Sequence, residues 1–431
     1  MESGVRQRLD LILDPMATPG VLAAKAWIRR GSGADPQGQR GAHQLLGSLL
    51  SRGCGPNGSM ELADLVEGCG AGLRCDTNED GLLISLKCRD RDAEQLVPLI
   101  GWMLRQPLLQ PDQVDLEKEL SLQALQRQKE DPFHLAYDGW RSLAYGSGPY
   151  GHDPLGVAGD LQQLGPEALR PLAHQLESEG SVLALSGTIP ESLLSLLKEH
   201  EAFLSFPDGS MAIPATSHAP AAENGHANPS VTLCLKEQKT EQVVLMLGQP
   251  SLPHGHPDDP ALRLLQAHLS HGMSSLLFRR LREEHGVAYD VGAYLPARRD
   301  AAPFVLHASS SADRAELALT LLLDSWDELS DRDLTSDELE LARAKYRGQV
   351  AHASQTASQR AERSAQLQGL GLPDDHDQQC LNKLEALTPT DLRQAARRWL
   401  NQPELSLCGP GSILKRLESL WQRRQSATGS S

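Results

Sequence analysis

The chain repeats itself. In its first half a strand-like run, Leu82 to Cys88, leads into RDAEQLVPLIGWMLRQPLLQPDQVDLEKELSLQAL. In its second half FVLHASS leads into DRAELALTLLLDSWDELSDRDLTSDELELARAK. Ala93-Glu94 aligns with Ala315-Glu316 at an offset of 222, and Leu109-Gln110-Pro111-Asp112 with Leu334-Thr335-Ser336-Asp337 at an offset of 225. Upstream of each run stands a helix and a glycine-marked strand, at Gly70-Ala71-Gly72-Leu73 and at Gly286-Val287-Ala288-Tyr289. So steady a register predicts a duplication. A repeat this long is not a solenoid module, so it predicts two similar domains.

Each half mixes element types. LAAKAWIRRGS, LLISLKC, SVLALSG, VVLMLG and FVLHASS read as strands. Helical periodicity covers 41–52, 59–69, 92–105, 112–130, 258–285, 312–330 and 336–364. The expected class is α+β: two homologous domains, each an antiparallel-rich sheet with helices packed on one face. Between them, FPDGSMAIPATSHAPAAENGHANPS at 206–230 is rich in Pro, Ala, Gly, Ser and Asn and reads as a linker. The expected organisation is therefore a domain at 1–205, a linker at 206–230, a second domain at 231–422 and a flexible, polar tail at 423–431. Hydrophobic residues are 40% of the chain but aromatics only 4%, so Leu and Ala must fill both cores.

Charge and cysteine usage narrow the function. Asp plus Glu number 56 against 41 Lys plus Arg, a net charge of −15, which argues against nucleic acid as a partner. No apolar run approaches the ~20 residues of a membrane helix, and MESGVRQRLDLILDP does not read as a secretory signal. Seven cysteines, none in a CxxC pair, fit a reduced, cytoplasmic chain. Neither a G-x-S-x-G elbow nor a glycine-rich phosphate loop is present.

The stretch VLAAKAWIRRGSGADPQGQRGAHQLLGSLLSRGC, beginning at Val21, resembles the pitrilysin/insulinase superfamily of inverted-zincin metallopeptidases. Its mitochondrial-processing-peptidase-like branch is the nearest in pattern. PYGHDPLG at 149–156 and SHGMSSLLFRRLREEHGVAYDVGAY at 270–294 carry the resemblance into both halves. It implies a metallopeptidase clamshell half built from two homologous domains.

In active members the first helix carries His-x-x-Glu-His: two histidines one turn apart bind zinc, and the Glu activates a water. Here the helix reads His43-Gln44-Leu45-Leu46-Gly47. The resemblance puts Leu46 at the general base and Gly47 at the second histidine. Counting the family spacing of about 77 residues onward from Gly47 reaches Ala124, where a ligating Glu belongs. Glu117 matches an accessory Glu. With only His43 left, the resemblance implies a degenerate site holding no metal. Replacing Leu46→Glu, Gly47→His and Ala124→Glu together is the repair this alignment suggests.

The second half retains more. Arg282 and Tyr289, in LREEHGVAY, match an Arg and a Tyr that bind the substrate carbonyl in active members. A guanidinium and a phenol suit an oxygen on which negative charge grows. The competing reading is a surface Arg and a packed Tyr. Among other candidates, His254-Gly255-His256 before Asp258-Asp259, and the pair His268 and His271, are weak as metal motifs.

The resulting expectation is a non-catalytic subunit of a heterodimeric zinc endopeptidase acting on unfolded peptides. It would carry no cofactor itself. A homologous zinc-bearing partner would supply the metal, with Arg282 and Tyr289 acting in trans. The alternative is a structural or peptide-binding homodimer of the same fold without proteolytic role.

Overall fold

The computed structural model describes residues 9–17, 20–178, 180–203 and 232–428. The proposed linker at 206–230 lies outside them. In chain order the first elements are β1 (Leu9–Pro15), β2 (Val21–Ile28), α1 (Ala42–Leu50), α2 (Ser59–Gly68), β3 (Gly72–Thr77), β4 (Leu82–Arg89), α3 (Ala93–Arg105) and α4 (Pro111–Gln128). Then come α5 (Pro132–Tyr145), α6 (Ala158–Leu161), α7 (Pro166–Ser178), β5 (Ser181–Gly187) and α8 (Glu191–Glu199). The second half holds β6 (Leu233–Glu237), β7 (Gln242–Pro250), α9 (Asp259–Ser270), β8 (Asp290–Tyr294), β9 (Pro303–Ser311), α10 (Ala315–Asp331) and α11 (Ser336–His352). It closes with α12 (Ala357–Gly369), α13 (His376–Ala386), α14 (Pro389–Trp399), β10 (Glu404–Gly409) and α15 (Gly411–Thr428).

The duplication is visible in the sheets. One is ordered β1-β5-β2-β4-β3 and the other β6-β10-β7-β9-β8. In each, the first pair is parallel and the other three antiparallel. The α+β class and the antiparallel-rich sheets stand as expected.

The units are not two contiguous halves. One comprises residues 1–125, 152–215 and 351–376, and the other 126–151, 216–350 and 377–431. Helix α5 thus joins the second sheet and α12 the first, so each sheet is covered on both faces rather than one. The pattern of β2 shows why. Leu22, Ala24, Ala26 and Ile28 face the main core with α1 and α3, while Ala23 and Trp27 face Ala357, Ala361 and Ala365 of α12. A strand apolar at both parities needs cover on both sides. Lys25, at the buried odd parity, is satisfied by Ser85 Oγ at 2.9 Å and Glu362 Oε2 at 2.7 Å. On the second sheet α5 sits close because Gly139 has no side chain: a Cβ there would lie 2.7 Å from Ser406 Oγ.

Two long helices expected from periodicity are broken. The stretch 258–285 ends α9 at Ser270 and resumes as a π-helical turn over Phe278–Glu284. The stretch 336–364 divides at Thr356, whose side chain forms a capping box with Gln359 and starts α12. The tail also differs, since α15 continues through Thr428, with Arg424 paired to Asp327. Among the described residues no helix is long and apolar enough to cross a membrane.

One buried acid in the second unit makes a testable contribution. Glu404, 4% exposed at the start of β10, has its carboxyl pushed up to about 7 by burial, from an ordinary 4.5. The protonated form favours the folded chain. This contribution is complete below the unfolded value and is lost as pH rises through about 7, by on the order of 3 kcal/mol. Glu404→Gln is expected to melt near the wild-type temperature at pH 5 and above it at pH 8. Matching melts at pH 8 would reject the effect.

Candidate functional site

In the first unit the helix that carries the family's ligands starts on a buried carboxylate. Gly41 precedes α1 at φ +99°, and a Cβ there would lie 2.7 Å from the Leu155 carbonyl oxygen. Asp35 Oδ2 accepts the Gly41 N–H at 2.6 Å, and Oδ1 accepts the His43 N–H at 3.0 Å and His43 Nδ1 at 2.7 Å. His152 Nε2 lies 3.4 Å from Oδ2. Burial pushes the Asp35 carboxyl up, but the hydrogen bonds from His152, His43 and these amides outweigh it and hold it below the usual range. An ionised carboxylate only accepts, so His43 Nδ1 is the donor. His43 Nε2 then points inward, buried and without a hydrogen-bond partner among the described residues.

The other expected positions do not complete a site. Leu46 is fully buried in the apolar core. At Gly47 a Cβ would lie 2.6 Å from Thr77 Oγ1 and 3.2 Å from Leu82 Cδ1. Glu117, on α4, is engaged by Arg52, whose Nε donates to Oε1 at 2.6 Å. Ala124 lies about two turns further along α4, half-buried. A catalytic zinc takes three protein ligands, and here one imidazole nitrogen is on offer. The residues present do not fit the metal.

In the second unit Arg282 and Tyr289 flank one turn. Arg282 lies in the π-helical segment, its guanidinium 5.1 Å from the Phe278 ring centroid, and Nη1 donates to the Tyr289 carbonyl at 3.2 Å. The turn is held further by Val287 N–H to the Leu281 carbonyl at 2.8 Å. Arg314 Nη1 donates to the carbonyls of His285 and Gly286 at 3.3 and 3.1 Å. Tyr289 N–H reaches Ser309 O at 2.8 Å, fixing the backbone while its side chain stays 71% exposed. The packed-tyrosine reading therefore fails. Next to the pair, His307 and Arg282 hold the Asp290 carboxyl below its usual range.

The remaining candidates are already engaged. His254 Nδ1 sits 2.7 Å from Asp259 Oδ2, and Arg263 Nε donates to Asp259 Oδ1 at 3.1 Å. His256 accepts the Asp258 N–H at 3.1 Å. Burial lowers His268 to about 4 and also lowers His271. All seven cysteines are free, and burial pushes Cys54, Cys75 and Cys88 up to about 12, leaving those thiols poor nucleophiles.

Sequence reasoning missed Asp35, His152, Thr77 and Arg314. Asp35 carried a signal, an Asp-Pro turn ahead of a glycine and a helix. Thr77 carried none, being 30 residues from Gly47.

Comparison with known proteins agrees with the fold. The family described as Insulinase (Peptidase family M16) matches residues 19–153, and the Peptidase M16 inactive domain matches residues 176–346. An uncharacterized zinc protease of Streptomyces coelicolor is 24% identical over 387 residues, covering 89% of this chain and 84% of the relative. The crystal structure of a peptidase M16 inactive domain from Pseudomonas fluorescens superimposes with a TM-score of 0.82 at 20% identity, covering 94% of this chain and 96% of that one. A protease from Helicobacter pylori gives 0.81 at 17% identity, covering 94% and 97%. The duplicated sheets and the two family matches agree, and the chain belongs to the pitrilysin/insulinase superfamily, peptidase family M16.

Proposed function

We propose that this chain is the zinc-free subunit of a heterodimeric metalloendopeptidase acting on unfolded peptides. The observation that supports it most is a contrast within one molecule. The aligned base and second-histidine positions of the first unit, Leu46 and Gly47, are taken up by core packing, whereas Tyr289 of the second unit stands exposed beside Arg282 on a braced turn. Unused donors do not need such bracing.

The chemistry assigned to the pair is hydrogen-bond donation. A peptide carbonyl under attack accumulates negative charge on oxygen, and the Tyr289 hydroxyl and the N–H groups of Arg282 not bound to the Tyr289 carbonyl can donate to it. Zinc and its activated water would belong to a homologous partner. Seven free thiols support a cytoplasmic setting. One observation favours the homodimeric, non-proteolytic alternative: the bond from Arg282 to the Tyr289 carbonyl would also serve a purely structural turn.

The purified chain is expected to hold far less than one zinc per molecule after dialysis and to leave unstructured peptides uncut. Purified from its own cells under mild conditions, it is expected to bring with it a chain bearing an intact His-x-x-Glu-His motif, and the complex is expected to cleave such peptides. A stoichiometric zinc on the isolated chain, or a native complex without peptidase activity, would sink the proposal.

A further inference from the structure

We infer that packing, as well as ligand loss, keeps zinc out of the first unit, and that Thr77 is the residue that closes the space. The inference deepens the zinc-free reading and rests on its alignment of Gly47 with the second family histidine.

The one ligand that survives, His43, is already oriented as a metal ligand would be. Asp35 accepts from His43 Nδ1 at 2.7 Å, the carboxylate–histidine arrangement that orients metal ligands, and His43 Nε2 is buried and unpartnered. A second histidine one turn along α1 would share its face, which is how a helix presents two imidazoles to one ion.

That face is blocked at the first atom. Any side chain at Gly47 begins with a Cβ 2.6 Å from Thr77 Oγ1, well inside contact distance, with Leu82 Cδ1 at 3.2 Å behind it. Thr77 does not yield freely. It ends β3, is paired in register with Leu82, and its hydroxyl lies 3.4 Å from the His43 carbonyl oxygen. It is β-branched, so most of its staggered rotamers keep a heavy atom on the crowded side. Restoring the base at Leu46 and the ligands at Gly47 and Ala124 without touching Thr77 therefore drives the new imidazole stem into β3.

The experiment compares Leu46→Glu/Gly47→His/Ala124→Glu with the same variant carrying Thr77→Gly, using zinc alone as the probe. Elemental analysis after dialysis and melting temperature with and without zinc are the readouts. The first variant is expected to stay far below one zinc per chain with no zinc-dependent melt. The second is expected to approach one zinc per chain and to melt at a higher temperature with zinc, a rise that a chelator abolishes. Equal loading of both variants overturns the inference, as does no loading in either when both are folded. A simpler pair keeps Leu46 in the core and decides the matter if the larger variants fail to fold. Gly47→His/Ala124→Glu/Thr77→Gly, which supplies the three ligands, is expected to show zinc-dependent stabilisation and Gly47→His/Ala124→Glu none; the same response in both, or in neither when both are folded, overturns the inference. The zinc-free reading fails separately, on zinc found in the unmodified chain.

Discussion

Tyr289→Phe, assembled with a zinc-bearing partner, is expected to lower kcat by about 10²–10³, or ~3–4 kcal/mol, the usual cost of losing one donor to a developing oxyanion. Arg282→Ala is expected to cost at least as much. It removes a charge-assisted donor and also releases the Tyr289 carbonyl, which Arg282 Nη1 holds at 3.2 Å. Because the two residues touch, the double variant should fall short of the product of the single losses. Zinc content and complex mass should not change, since Tyr289 is exposed and the proposed metal lies on the partner. The measurement is kcat, zinc and mass on the same preparation. Unchanged turnover in both single variants would favour the homodimeric scaffold. Turnover lost together with the complex would assign the pair to assembly.

The second large effect is on stability. Asp35→Ala should destabilise the first unit by about 3 kcal/mol or more, because it takes the acceptor away from three donors at about 1–3 kcal/mol for each one left buried. The reason is local. One carboxylate receives His43 Nδ1 and two amides at the start of α1, and both side chains are fully buried. Asp35→Asn retains an acceptor oxygen and should cost less. The sign of the pH effect follows from the lowered carboxyl of Asp35. Its contribution is present above the unfolded value of 3.8 and is lost as pH falls through the lower folded one. The gap between wild type and Asp35→Asn should accordingly close in acid. Thermal melts followed by circular dichroism from pH 7 downward test this; a loss under about 1 kcal/mol at pH 7 would show that Asp35 is not the anchor of α1.

Legibility in the sequence followed the range of the interactions. The runs at β2, β4, β5, β7 and β9 were readable because a short, nearly continuous apolar run is a local signal. The break before α12 was readable in principle from Thr356 and Gln359, a capping box hidden inside an apparently continuous periodicity. The break after α9 has a weaker local mark, Gly272 at φ +77°. The glycine-marked segment at 286–289 was placed one turn early: it is the braced turn itself, and β8 begins at Asp290.

By itself the sequence determined that there are two copies of one fold, and its resemblance to the family aligns a leucine, a glycine and an alanine with the expected base and two ligands. Both are properties of side-chain identity and spacing, which no folding alters. Only the tertiary structure decided which helix covers which sheet face. Burial of apolar surface is non-directional, so the odd-parity face of β2 called for a cover without naming α12. It alone also decided that His43 is anchored by Asp35, that Thr77 fills the space beside Gly47, and that Arg282 braces the backbone of Tyr289. Each of these depends on distances of a few ångströms between positions separated by 7 to 30 residues, and such distances are set by how the elements pack.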